Sequence, residues 1–120
     1  MDASSLVLGT TYFRVTFADR DLTMPGIEPM VFIGRGEFSD SKPFLAFQDT
    51  VSYVQYGSRL EPGAEDREDQ DVFLLSPDEI GNAVLDLAGV LAQVQLAHSR
   101  AVELEFPQLP SALKGSGNVT

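Results

Sequence analysis

Carboxylates are the only reactive side chains this sequence offers in number: 18 Asp and Glu stand against 8 Lys and Arg, with one histidine and no cysteine in 120 residues. Grouped carboxylates can hold a hard cation through oxygen or move protons. They are densest between Ser58 and Asp71, where Glu61, Glu65, Asp66, Glu68, Asp69 and Asp71 face only Arg59 and Arg67, with Pro62 and Gly63 among them. The spacing around Asp66, Asp69 and Asp71 lacks the central glycine and the closing glutamate of a calcium-binding EF-hand loop. The segment therefore reads as a solvated acidic loop, with Glu65, Asp66, Glu68 and Asp69 as the candidate contacts for a basic partner. No metal site and no cofactor are expected. The single histidine, His98, cannot form an imidazole pair for a transition metal, and with Arg100 it suits the negative end of a helix dipole.

A second acidic pattern, Asp19-Arg20-Asp21-Leu22-Thr23, directly follows an alternating apolar run. It resembles the first motif of haloacid-dehalogenase-type phosphotransferases. That resemblance implies Asp19 as the nucleophile toward phosphorus, Asp21 as acid and base, and magnesium between them. It covers five residues. Such a fold needs a parallel sheet with a helix after this strand, and here Pro25, Gly26 and Pro29 occupy that place, while the only lysines are Lys42 and Lys114. A turn rich in Asp is the competing reading.

Other short patterns carry no chemistry. Gly34-Arg35-Gly36 lacks the third glycine and following helix of a phosphate cradle and suits a β-bulge instead. Gly115-Ser116-Gly117 has no strand-turn-helix setting. Pro107-Gln108-Leu109-Pro110 has no basic residue close by, and Asn118-Val119-Thr120 has no export signal to give it meaning.

The formal charge of -10 disfavours nucleic acid and anionic membranes, whose phosphates the surface would repel, and speeds encounter with basic proteins. Hydrophobic residues make up 43%, enough for one core. The expectation is one domain over residues 1–110 with a flexible tail over 111–120, placed in the cytoplasm because no export signal or membrane span is visible.

The elements follow from periodicity. Phe13, Val15 and Phe17 alternate with Tyr12, Arg14 and Thr16, as in a half-buried strand. Prolines and Gly26 predict a loop up to about Met30, then a strand to Phe38 and another from Phe44 to Gln48. Asp49 to Gly57 fits a strand-like continuation or a short helix capped by Asp49 and ended by Gly57, with the strand slightly favoured. After a short strand over Val72–Leu75, Ser76-Pro77-Asp78-Glu79 reads as a capping box with proline at the first helical position. One helix to about Arg100 is predicted, with Ile80, Val84, Leu87, Leu91 and Val94 as its core stripe. Leu85, Ala88, Val90, Ala92 and Leu96 widen the apolar surface, the small Gly81, Ala88, Gly89 and Ala92 would let another backbone come close, and Leu85, Gly89, Ala92 and Leu96 are the candidate partner-binding residues on that helix. Val102, Leu104 and Phe106 suggest a last strand, with continued helix as the competitor.

The fold expected is α+β, an antiparallel sheet of four to five strands with one long C-terminal helix packed on one face. The function expected is a small acidic, non-catalytic protein-binding module, with a homodimer through its helix as one form of that binding. A carboxylate- and magnesium-dependent phosphotransfer enzyme using Asp19 and Asp21, or a purely structural role, are the alternatives.

Overall fold

A computed structural model describes residues 1–64 and 71–104 of the chain. After a 3₁₀ turn over Ala3–Ser5 the elements are β1 (Thr11–Phe17), β2 (Pro25–Glu37), β3 (Pro43–Asp49), α1 (Thr50–Tyr56), β4 (Val72–Leu75), α2 (Pro77–Ala83), β5 (Val84–Leu85) and α3 (Leu87–Glu103). The strands form one antiparallel sheet in the order β4-β3-β2-β1-β5, so the fold is α+β. The described residues divide into two compact units: 1–15 with 27–64 and 71–90, and 16–26 with 91–104.

In the first unit, alternation sends Tyr12, Met30, Phe32, Leu45, Phe47 and Leu75 to one sheet face, where they are buried with Leu6, Ile80 and Val84. Val31, Ile33 and Ala46 point to the other face and pack with Phe44 and Tyr53 of α1. Buried on both faces, the centre of β2 and β3 reads as continuous apolar sequence. The glycine-rich break in β2 is a bulge: Phe32 pairs with Phe47 and Gly34 with Ala46, leaving Ile33 as the extra residue. The bulge returns Arg35 to the face of Phe32. Its guanidinium lies 4.9 Å over that ring and donates to the Ala3 carbonyl at 2.8 Å, holding the 3₁₀ turn.

Several expectations are corrected. β2 starts at Pro25 rather than near Met30, while its pairing with β3 begins only at Met30, opposite Asp49. Residues 25–29 thus have an edge free of β3, where proline breaks no ladder bond on that side. Residues 50–56 are helix rather than strand. Asp49 accepts from the Ser52 N–H at 2.8 Å as the N-cap, and Gly57, at φ +80°, ends the helix with its N–H on the Tyr53 carbonyl. The expected 76–100 rod is also broken. The capping box of Ser76 and Glu79 starts α2 as expected, but Val84 and Leu85 leave the helix to pair with Arg14 and Phe13 of β1. Asp86 then caps a new helix by accepting from the Gly89 N–H at 2.8 Å.

That break resets the helical phase. Ile80 and Val84 are buried as expected, but on α3 the buried positions are Val90 and Ala97, while Leu87, Leu91 and Val94 are exposed. Helix also replaces the expected strand at Val102, since α3 continues to Glu103 and the Leu104 N–H bonds the Arg100 carbonyl. Phe106 and the 111–120 tail lie outside the described residues.

Gln48 and Asp49 join the elements of the first unit. The fully buried Gln48 side chain donates from Nε2 to Ser52 Oγ at 3.0 Å and to the Gly57 carbonyl at 3.1 Å, and accepts at Oε1 from the Arg59 N–H at 2.8 Å. Asp49 also accepts from the Ser52 hydroxyl and from the Asp71 N–H at 2.9 Å. Burial pushes the Asp49 carboxyl upward, but the bonds from Ser52 and Asp71 outweigh it and hold the group below its ordinary 3.8. A depressed folded-state value contributes stability above the unfolded value that is lost as pH falls through the folded one. Thermal melting between about pH 5 and about pH 3 should therefore show a smaller acid-induced loss for Asp49→Asn than for the native chain. Equal losses would contradict this role of Asp49.

Candidate functional site

The Asp19 pattern sits at the tip of the β1–β2 hairpin, within the second unit. The Ala18 N–H bonds the Met24 carbonyl at 3.0 Å and closes the tip, and the Leu22 N–H bonds the Asp19 carbonyl at 3.3 Å. Both Asp19 carboxylate oxygens are engaged: they accept from the Thr23 N–H at 3.0 Å, the Thr23 hydroxyl at 2.6 Å and the Met24 N–H at 2.8 Å. The Thr23 hydroxyl, opposed by partial burial and helped by the Thr23 and Met24 N–H groups, holds the Asp19 carboxyl below its ordinary 3.8. This is how an aspartate organises a turn. Leu22 takes a left-handed φ of +59°, and its carbonyl accepts from Arg100 Nη1 of α3 at 3.0 Å. Arg100 thus serves the hairpin tip, beyond the helix-end role expected for it.

An open depression of about 480 Å³ lies beside this turn, lined by Asp19, Asp21, Thr23, Met24 and Ala101. Asp21 is exposed and lies in the same depression as Asp19. The strand-turn-strand setting differs from the parallel strand and helix that the phosphotransferase resemblance implies. Among the described residues no group of three or more His, Cys, Asp or Glu is placed to hold a metal ion.

A second cleft, of about 320 Å³, lies in the first unit between Leu8, Gly9, Tyr53, Ser58, Leu60 and Glu61. No local spacing announces it, because these side chains come from three separate segments. They meet only when α1 folds back over β3 and Gln48 fastens the chain at Gly57 and Arg59.

The candidate partner contacts are scattered. Glu65, Asp66, Glu68 and Asp69 lie outside the described residues. Leu85 is on β5, paired with Phe13, and is not a helix-surface residue. Gly89 is half-buried at the start of α3, where an added Cβ would stand 3.1 Å from Leu85 Cβ and 3.3 Å from Asp86 Oδ1. Its lack of a side chain fits the tight entry into its own helix, a packing reason for the glycine within this chain. Ala92 and Leu96 are exposed and four residues apart, on one row of α3.

Other apolar residues of α3 stand further in solvent, Leu87 at 61% among them. Leu91 is 58% exposed and Val102 61%, with Val94 on the same side of the helix. On the sequence Leu91 and Val94 read as core and Val102 as strand; the break at Val84–Asp86 starts α3 in another phase. No helix of the described residues is long and apolar enough to cross a membrane.

Replacing Thr23 with Val removes the hydroxyl that does most to hold the Asp19 carboxyl down, so in a carboxyl NMR titration the Asp19 pKa should rise toward its ordinary value. An unchanged titration would show that the turn is held otherwise. No family model matches this chain, and no curated protein and no solved structure is significantly similar to it.

Proposed function

We propose that this chain is a non-catalytic protein-binding module that holds its partner on the exposed apolar side of α3. The observation that carries the reading is the row of Leu91, Val94 and Val102, spaced at helical steps of three and eight and left in solvent. Exposed apolar side chains grouped on one side of a helix are a usual means by which that helix docks on another protein. The candidate partner is either a second copy of the chain or a different protein. The charge of -10 favours a different, basic protein by speeding encounter, with the acidic residues between Glu61 and Asp71 as the candidate source of attraction.

The Asp19 loop supports this reading rather than catalysis, because the carboxylate that would have to attack accepts from three donors in closing a turn. A free nucleophile needs its lone pairs.

The test replaces Leu91 and Val102 together with Glu. Both positions are exposed, so folding stability should change by less than about 1 kcal/mol. Each desolvated leucine or valine at an interface contributes about 2 kcal/mol, so partner affinity should fall more than tenfold. Sedimentation at micromolar concentration reads self-association, and a native mass above monomer that the double variant returns to monomer identifies a second copy as the partner. A native monomer removes self-association. Co-purification from cell extract then decides, and identical protein sets on native and variant chains would contradict the proposal.

A further inference from the structure

The geometry points to a second docking element, independent of α3: the outer edge of β4, suited to an extended peptide with apolar residues at alternate positions and basic residues at its ends. β4 is the last strand of the sheet, and among the described residues no strand pairs with its outer side.

The hydrogen-bond phase shows what that edge presents. The Asp49 N–H donates to the Asp71 carbonyl at 2.9 Å. The register runs Gln48↔Val72, Phe47↔Phe73, Ala46↔Leu74 and Leu45↔Leu75. Bonded and non-bonded pairs alternate in an antiparallel ladder. Phe73 and Leu75 therefore bond β3, whereas the N–H and C=O groups of Val72 and Leu74 point to the outer edge. An added strand could take up all of them.

The side chains agree with this. Phe73 and Leu75 turn toward the core, while Val72 and Leu74, at 38% and 46% exposure, stand beside the place an incoming strand would occupy. Alternate apolar residues would pack against them. Free edges are commonly protected by lysine, proline or a bulge. β4 has none of these, and no Lys or Arg occurs from Glu68 to Ser99.

Charge selects the occupant. Asp71 is exposed at one end of β4, and Asp78 and Glu79 are exposed just beyond the other. A strand ending in Lys or Arg meets opposite charge at both ends. A second copy pairing antiparallel through the same edge would set the Asp71 of each chain against the Asp78 and Glu79 end of the other, between two chains of charge -10. Like charges across a strand pair are unfavourable. The occupant is therefore a basic extended segment of another protein.

The test titrates the full chain against the fluorescein-labelled peptide Lys-Val-Thr-Val-Thr-Lys by fluorescence anisotropy. Binding should weaken as salt rises, and by about tenfold or more when both lysines are replaced by glutamate. Leu74→Pro removes an outward N–H without touching the β3 ladder, so it should keep the native melting temperature and weaken binding by about tenfold or more. Should that variant fail to fold, the native chain with a peptide N-methylated at its four central amides reads the same hydrogen bonds, and binding should be lost. The Leu91→Glu, Val102→Glu chain should bind the peptide as the native chain does, which separates this edge from the α3 proposal. No binding of the lysine peptide, or binding indifferent to N-methylation, overturns the inference. So does a native dimer that Leu74→Pro dissociates, which would make a second copy the occupant.

Discussion

The buried carboxamide of Gln48 is the constraint on which the first unit depends. A primary amide without exposure must place two donors and an acceptor, and leaving one unmet costs about 1–3 kcal/mol. Here Ser52 Oγ and the Gly57 carbonyl take the donors and the Arg59 N–H takes the acceptor. Those partners lie at both ends of α1 and just beyond it, so satisfying one side chain folds the helix back over β3. Asp49, the next residue, fastens the far end of the excursion by bonding Asp71 through both main chain and carboxylate. That bond sets the phase of the β3–β4 ladder, and with it the direction in which Val72 and Leu74 present their backbone groups.

A second constraint acts at Val84–Asp86. Continuing the helix through Val84 would place the Leu87, Leu91 and Val94 row in line with Ile80 and Val84. Pairing with β1 instead recruits a fifth strand, and the Asp86 cap starts α3 in a new phase. The core keeps Ile80 and Val84, and α3 buries the smaller Val90 and Ala97. Val84 and Leu85 thus exchange a continuous rod for a short fifth strand on β1 and an exposed apolar helix side.

The legible parts of the fold were those fixed by local chemistry. The β1 alternation, the bulge near Gly34 and the Ser76–Glu79 capping box each depend on residues a few positions apart. The ends of α1 were equally local, since Asp49 and Gly57 are good caps, but Thr50, Val51 and Val54 favour strands and only Gln48 and Ser52 together decide for helix. The break in the rod was hidden because Ile80, Val84, Leu87, Leu91 and Val94 keep helical spacing across it. Asp86, three residues before a glycine whose N–H it accepts, was the available signal. Of the candidate partner residues on the helix, Ala92 and Leu96 are on an exposed surface, while Leu85 and Gly89 serve the junction between β5 and α3. The β4 edge could not be read from sequence at all, because strand order and ladder phase are set by long-range pairing.

What emerges is a scaffold in which the Asp86 cap sets an apolar helix side, and Gln48 and Asp49 set a strand edge that no strand pairs among the described residues. The strand-edge reading requires that α1 be held over β3 by Gln48 and β4 be held in phase by Asp49. The most direct measurement is urea unfolding and amide hydrogen exchange of Gln48→Met, which keeps side-chain volume but removes every polar bond of the amide. The account predicts a loss of about 2–3 kcal/mol and collapse of protection at the Arg59 amide, with the pairing of β2 and β3 retained. Stability within about 0.5 kcal/mol of native, with the Arg59 amide still protected, would contradict it.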